Sequence, residues 1–135
     1  MCIRDSGNTF TDTYNGIFLQ YFDAVTIRGN TLSGSYMYDY GLYLNYCDGA
    51  NVIEDNSIYA SDMSYGLYLN YCQAASGNEA TIVNNLISVE DYGIYFYRNN
   101  YYQDIYYNSV RVRDFYAFYT YYGSSNNTCL PDSIP

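Results

Sequence analysis

The chain has 135 residues, one domain's worth, with 22 Tyr, 6 Phe, no Trp and no His. Fourteen acids against five Arg leave a net charge of -9, too few cations to neutralise a row of phosphates, so nucleic acid is excluded as a partner. The missing His removes the commonest general base and metal ligand. No apolar run is long enough for a membrane-spanning helix, and the apolar content argues against disorder.

In chain order, Met1-Cys2-Ile3-Arg4-Asp5-Ser6 resembles the translated tail of a sequencing adapter. Residues 1–6 are therefore set apart, and one repeat domain is expected over 7–130, cut from a longer chain at both ends. Asn8-Thr9-Phe10 reads as the tail of a repeat, and Tyr14-Asn15-Gly16-Ile17-Phe18-Leu19 as a first strand. That strand returns as Asp39-Tyr40-Gly41-Leu42-Tyr43-Leu44-Asn45-Tyr46-Cys47, as Ser64-Tyr65-Gly66-Leu67-Tyr68-Leu69-Asn70-Tyr71-Cys72, and as Asp91-Tyr92-Gly93-Ile94-Tyr95-Phe96. A decayed copy follows at Phe115-Tyr116-Ala117-Phe118-Tyr119-Thr120. Between these copies a second block recurs: Ile27-Arg28-Gly29-Asn30-Thr31-Leu32, Ile53-Glu54-Asp55-Asn56-Ser57-Ile58, Ile82-Val83-Asn84-Asn85-Leu86-Ile87 and Ile105-Tyr106-Tyr107-Asn108-Ser109-Val110.

Both blocks alternate apolar and polar residues with period two, which is strand periodicity. Gly and Asn separate about three short strands per repeat and leave no room for a helix. Strands recurring at such intervals stack like on like, because one repeat cannot bury its own apolar face. The reading is an all-β parallel solenoid of about five coils of 22–29 residues, rising ~4.8 Å per coil.

The runs YGLYLNYCDGANVIEDNSI (40–58) and YGIYFYRNNYYQDIYYNSV (92–110) resemble the right-handed parallel β-helix repeat of the pectate-lyase-like superfamily. A leucine-rich repeat fails where Asp39, Ser64 and Asp91 stand in place of a required Leu. The resemblance implies a secreted or cell-surface bacterial protein, and a superfamily with lyases, hydrolases and epimerases of acidic polysaccharides. The Asp-rich and His-containing motifs of its polygalacturonase-like members are missing here.

Stacking converts each recurring residue into a column. Asn30, Asn56, Asn85 and Asn108 form an expected Asn ladder in a turn. Outward columns run through Phe18, Tyr43, Tyr68, Tyr95 and Tyr119; through Gln20, Asn45, Asn70, Tyr97 and Tyr121; and through Tyr21, Tyr46, Tyr71, Arg98 and Tyr122. Tyr carries apolar area and a polar tip. Tyr43, Tyr68, Tyr95, Tyr119, Asn45, Asn70 and Tyr97 are therefore the expected contacts for a neutral carbohydrate, and an acidic face disfavours an acidic one. Three roles stay open: a non-catalytic surface module that binds glycan, a fragment of a polysaccharide-active enzyme with its catalytic coils elsewhere, and a passive stalk.

Asp91, Tyr95 and Arg98 are the best catalytic group on one coil. Asp39 and Asp91 lie two coils apart, ~9.6 Å by strand spacing, near the separation an inverting hydrolase uses. Asp23 and Asp48, continued by Gln73 and Asn100, are candidate Ca²⁺ ligands, and no other cofactor is expected. Cys47 and Cys72 stack in successive coils, either as small buried hydrophobes or as a disulfide.

Overall fold

The computed structural model describes residues 4–35 and 37–129, and every regular element among them is a strand. The expectations for residues 1–3 and for Leu130 lie outside the described residues.

In chain order the strands are β1 (Arg4–Ser6), β2 (Thr9–Thr11), β3 (Ile17–Gln20), β4 (Thr26–Arg28), β5 (Thr31–Ser33), β6 (Tyr40–Asn45), β7 (Val52–Glu54) and β8 (Ser57–Tyr59). They continue as β9 (Tyr65–Asn70), β10 (Ala80–Val83), β11 (Leu86–Val89), β12 (Tyr92–Arg98), β13 (Gln103–Tyr106), β14 (Ser109–Val112), β15 (Tyr116–Tyr122) and β16 (Thr128–Cys129). Every third strand joins one sheet. Sheet I holds β1, β4, β7, β10, β13 and β16; sheet II holds β2, β5, β8, β11 and β14; sheet III holds β3, β6, β9, β12 and β15. All named pairings are parallel, so the chain winds as a β-helix with one strand per sheet in each coil. Arg4–Ser6 pairs in register with Thr26–Arg28, so the last three of the residues set apart on sequence form the first rung of sheet I.

Register makes the columns. Ile27, Ile53, Ile82 and Ile105 stack in sheet I. Leu32, Ile58, Ile87 and Val110 stack in sheet II, and Leu44 lies over Leu69 in sheet III. These inward side chains make one core, with Leu42, Leu44, Leu67, Leu69 and Phe96 wholly buried. Phe10, Leu19, Val110 and Phe118, in the terminal coils, are only partly covered. Each buried aliphatic contributes ~1.5–3 kcal/mol of gross hydrophobic stabilisation.

The corners from sheet I to sheet II and from sheet III to sheet I follow one rule. A residue with positive φ turns the chain, and the next residue points inward. Between sheets I and II the turning residues are Gly7, Gly29, Asp55, Asn84 and Tyr107, followed by Asn8, Asn30, Asn56, Asn85 and Asn108. The Asn30 backbone N–H and Nδ2 donate to Asn56 Oδ1 at 3.0 and 3.1 Å, and those of Asn56 donate to Asn85 Oδ1 at 3.0 and 2.9 Å. Those of Asn85 donate to Asn108 Oδ1 at 2.9 Å each. Asn56 Nδ2 also closes on the Ile27 carbonyl at 3.0 Å. Buried amides thereby satisfy the backbone groups that a sharp turn takes out of the sheet.

Candidate functional site

The outer face of sheet III is a double layer of tyrosines. Period two on β6, β9 and β12 sends Leu42, Leu67 and Ile94 inward and Tyr43, Tyr68 and Tyr95 outward. A neighbouring row, Tyr40, Tyr65 and Tyr92, begins these strands. Tyr40 stacks on Tyr65, Tyr65 on Tyr92, and Tyr92 on Phe115, each with ring centroids 5.3 Å apart. The second row meets the first edge-on, as in Tyr65–Tyr68 at 5.1 Å and Tyr92–Tyr95 at 5.0 Å. Such pairs add ~0.5–1.5 kcal/mol each beyond area burial. The rings are therefore largely consumed by one another, and Tyr95 is only 9% exposed.

Interlocking shows in the acidity of the phenols. Burial, with Asp39 as a lesser cause, pushes Tyr40 up to about 12. Burial, with Tyr65 as a lesser cause, pushes Tyr95 up to about 12. Tyr43, Tyr65 and Tyr68 are raised for the same first reason. The sign for stability follows. In the unfolded chain these phenols ionise near 10, whereas Tyr40 and Tyr95 stay neutral in the fold to about 12. Stability should be flat below that range and fall as pH rises from about 10 to about 12, because the unfolded chain then holds fewer protons. Tyrosinate absorbance recorded through an alkaline titration checks this: a late component, from Tyr40, Tyr43, Tyr65, Tyr68 and Tyr95, should appear together with loss of β-sheet signal. Absence of that late component with the sheet intact would contradict the packing.

A third, more exposed row lies just past the strand ends. Tyr21, Tyr46 and Tyr71 turn the corner from sheet III to sheet I with φ of 61°, 52° and 53°. Tyr46 stacks on Tyr71 with centroids 4.7 Å apart and planes 2° apart, and Tyr21 stacks on Tyr46 at 5.3 Å. Tyr21 is 71% exposed and Tyr46 41%. A bulky side chain at positive φ is an outlier that costs of order 1–3 kcal/mol.

Here the structure corrects the third sequence column. Phe96 pairs with Leu69 and Arg98 with Tyr122, but the next turning residues are Asn99 (φ 47°) and Gly123 (φ 69°). β12 and β15 each carry one extra residue, a bulge. Tyr97 and Arg98 together stand opposite the single Asn70, with the Arg98 carbonyl in the place of Asn70's, and the corner column is Tyr21, Tyr46, Tyr71, Asn99 and Gly123. Arg98 lies over the Tyr97 ring with its guanidinium carbon 4.7 Å from the centroid, and the nearby Tyr71 side chain helps to raise its pKa. Tyr97 stacks on Tyr121 at 5.5 Å. Beside this row Asn70 Nδ2 donates to Asn45 Oδ1 at 2.8 Å, while Asn70 Oδ1 meets no donor among the described residues. Tyr119 continues the Tyr95 stack at 5.3 Å.

The same one-residue shift corrects the Ca²⁺ column. Asp23 pairs with Asp48, and Gln73 with Tyr101 rather than Asn100. Asp48 Oδ1 accepts the Gln73 backbone N–H at 2.9 Å, a structural use of that carboxylate. Asn100 stacks on Cys72 instead and accepts its N–H at 3.0 Å. Of the catalytic trio, Asp91 and Arg98 flank opposite ends of β12, about 20 Å apart by strand rise, with the buried Tyr95 ring between them. Asp39, Ser64 and Asp91 do stack, through N–H donation from Tyr65, Tyr92 and Tyr116 to their carbonyls.

Cys47 and Cys72 are free thiols, each wholly buried. They follow Tyr46 and Tyr71, the position Asn100 holds after Asn99. Asn100 Nδ2 donates to the Leu69 and Arg98 carbonyls at 3.1 and 3.0 Å. Cys72 Sγ reaches the equivalent Leu44 and Asn70 carbonyls only at 3.5 and 3.6 Å, and Cys47 Sγ reaches those of Leu19 and Asn45 at 3.6 and 3.7 Å. The neighbouring Cys72 thiol is the main cause that brings Cys47 down to about 7, while burial drives Cys72 up.

Sequence reading missed a further amide column. Asn51 Oδ1 accepts the Val25 N–H at 3.0 Å, and Asn127 Oδ1 accepts that of Gln103 at 2.9 Å. The signal was present, since Asn51, Gln103 and Asn127 each open a sheet I strand, but Ala80 interrupts it.

The family model described as Periplasmic copper-binding protein (NosD) matches residues 3–128. No curated protein and no solved structure matches the chain.

Proposed function

The chain belongs to the NosD family and is an extracytoplasmic β-helix module, and we propose that it is non-catalytic and holds a neutral, elongated carbohydrate along the tyrosine face of sheet III. One observation carries this reading: three tyrosines in successive coils, Tyr21 and Tyr46 exposed and Tyr71 half-buried, are kept at positive φ. Stacking returns ~0.5–1.5 kcal/mol per pair, which does not offset the strain at three turns where Asn or Gly would sit without it. Asn99 and Gly123 fill the same corner in the next two coils. Stability alone therefore does not select Tyr21, Tyr46 and Tyr71.

The mode of recognition differs from ring-face stacking. The rings cover one another's faces, so ring edges and phenol hydroxyls point outward in rows about one strand spacing apart. Such rows, with the amides of Asn45 and Asn70, suit the hydroxyls of a polymer lying parallel to the helix axis. Among the described residues no helix is long and apolar enough to cross a membrane.

An array of neutral polysaccharides tests the reading. At least one should be retained, and Tyr46→Ala with Tyr71→Ala should weaken it about tenfold, the equivalent of ~1.4 kcal/mol, with the β-sheet signal intact at the temperature of the assay. Retention of no neutral glycan, or an affinity indifferent to both changes, would overturn it.

Copper, named in the family description, can be tested against the side chains. Cupric copper favours imidazole, and the chain has no His. The described group of three acids, Glu90, Asp91 and Asp114, brings carboxylate oxygens within 4.8 Å of one another, but Arg113 is ion-paired to Glu90 and Asp114. These residues do not fit cupric copper. The adjacent thiols of Cys47 and Cys72 are soft donors, and they fit the cuprous ion.

A further inference from the structure

We propose that Cys47 and Cys72 form a buried two-thiolate site for a cuprous ion, spanning two adjacent rungs of the β-helix at the corner beneath Tyr46 and Tyr71. The inference goes beyond the carbohydrate reading and does not depend on it.

At this corner the residue after the turn lies against two carbonyls, one on its own rung and one on the rung before. Phe22 holds the place in the first coil and donates to neither, whereas Asn100 donates to both at 3.0 and 3.1 Å. The two thiols aim at the equivalent carbonyls from 3.5 to 3.7 Å, as weaker donors. An amide serves better, as it does at Asn85 and Asn108 of another corner. Thiols in two consecutive coils thus hold a place where an amide meets both carbonyls more closely.

What a thiol pair offers and an amide does not is soft-metal ligation. Register sets the two residues on neighbouring rungs, two positions beyond the Asn45–Asn70 pair. Both are wholly buried in the apolar core, where water and a third hard ligand are kept away. Cuprous ion accepts as few as two thiolates, whereas zinc takes four ligands. On binding, two S–H bonds break, two copper–sulfur bonds form and two protons pass to the buffer, with no change of oxidation state. The resulting single negative charge is spread over two polarizable sulfurs. The buried Met37 and Met63 thioethers lie before β6 and β9 begin, about 20 Å away along the strands, and the described thiol of Cys129 is exposed in β16.

The test uses the full reduced chain without oxygen, carrying Cys2→Ser and Cys129→Ser to remove the other thiols. Cuprous ion is supplied against a chromophoric cuprous chelator. One equivalent should be held per chain, with sulfur-to-copper charge-transfer absorbance and release of two protons. Cys47→Asn or Cys72→Asn should abolish it, and because Asn100 already shows that Asn fits this corner, the fold should persist with an unchanged or higher melting temperature. Retention of no more copper than the double Asn variant, or full binding by either single variant, would overturn the proposal.

Discussion

Gly66→Ala should destabilise the protein by about 3 kcal/mol or more, the largest loss expected from adding a single methyl group. A Cβ built on Gly66 lies 2.6 Å from the Gly93 carbonyl oxygen and 2.5 Å from Ile87 Cγ2. The first is backbone of the next rung, and the second belongs to a wholly buried core residue of sheet II. Neither can retreat without breaking a ladder or opening the core. The cause is crowding, not dihedral strain, since Gly66 has no positive φ. Gly41 and Gly93 meet the same pair of obstacles: Gly66 O at 2.7 Å with Ile58 Cγ2 at 2.6 Å, and Ala117 O at 2.6 Å with Val110 Cγ1 at 2.1 Å. The repeating Gly is thus the point where sheet III approaches the rung beside it most closely. Urea unfolding checks the expectation: the midpoint should fall with the slope unchanged. Ile87→Ala in the same chain should not restore it, because the carbonyl remains. A midpoint equal to that of the parent would mean that the rungs are spaced more widely than described.

The coil plan was legible because both of its signals are periodic. Gly16, Gly41, Gly66 and Gly93 mark sheet III, Asn30, Asn56, Asn85 and Asn108 mark one corner, and alternation fixes which side chains turn inward. What was not legible was a shift of one residue. Arg98 sits where alignment by eye places the successor of Tyr71, yet a bulge in β12 hands that role to Asn99. A bulge leaves the apolar alternation upstream intact, so composition and period pass over it. The binding face shows a second limit. The Tyr columns could be read from the sequence, but whether a ring faces solvent or its neighbour depends on two adjacent rows packing together. Tyr43 and Tyr68 were natural choices for ligand contact by pattern, and they are part of an interlocked layer instead. The corner row, Tyr21, Tyr46 and Tyr71, was visible only as a column, without the positive φ that distinguishes it.

Asn56→Ala should cost about 3 kcal/mol although it removes few apolar contacts. Asn56 is 1% exposed, so water does not replace what the amide supplied. Its Oδ1 accepts from both nitrogens of Asn30, and its Nδ2 donates to Asn85 Oδ1 and to the Ile27 carbonyl. The Ile27 carbonyl loses this donor, and Asn30 loses an acceptor shared by its backbone and its side chain. Each buried polar group left unmet costs ~1–3 kcal/mol, while an ordinary hydrogen bond contributes only ~1. Position in the ladder should therefore set the magnitude. Asn108→Ala, in a half-buried rung, should cost closer to ~1 kcal/mol, because solvent reaches the freed groups. Asn30→Ala and Asn56→Ala share one hydrogen-bonded link, so together they should cost less than the sum of the two. Asn56→Asp separates acceptor from donor. It keeps an oxygen for Asn30 but buries a carboxylate, whose pKa rises above its unfolded value. The deficit of that variant should shrink as pH falls, as the carboxyl takes up a proton and regains a donor. Thermal unfolding of the variants across a pH series would reveal this order. Equal losses at Asn56 and Asn108, or strict additivity with Asn30, would mean that the column holds separate turns rather than one connected ladder.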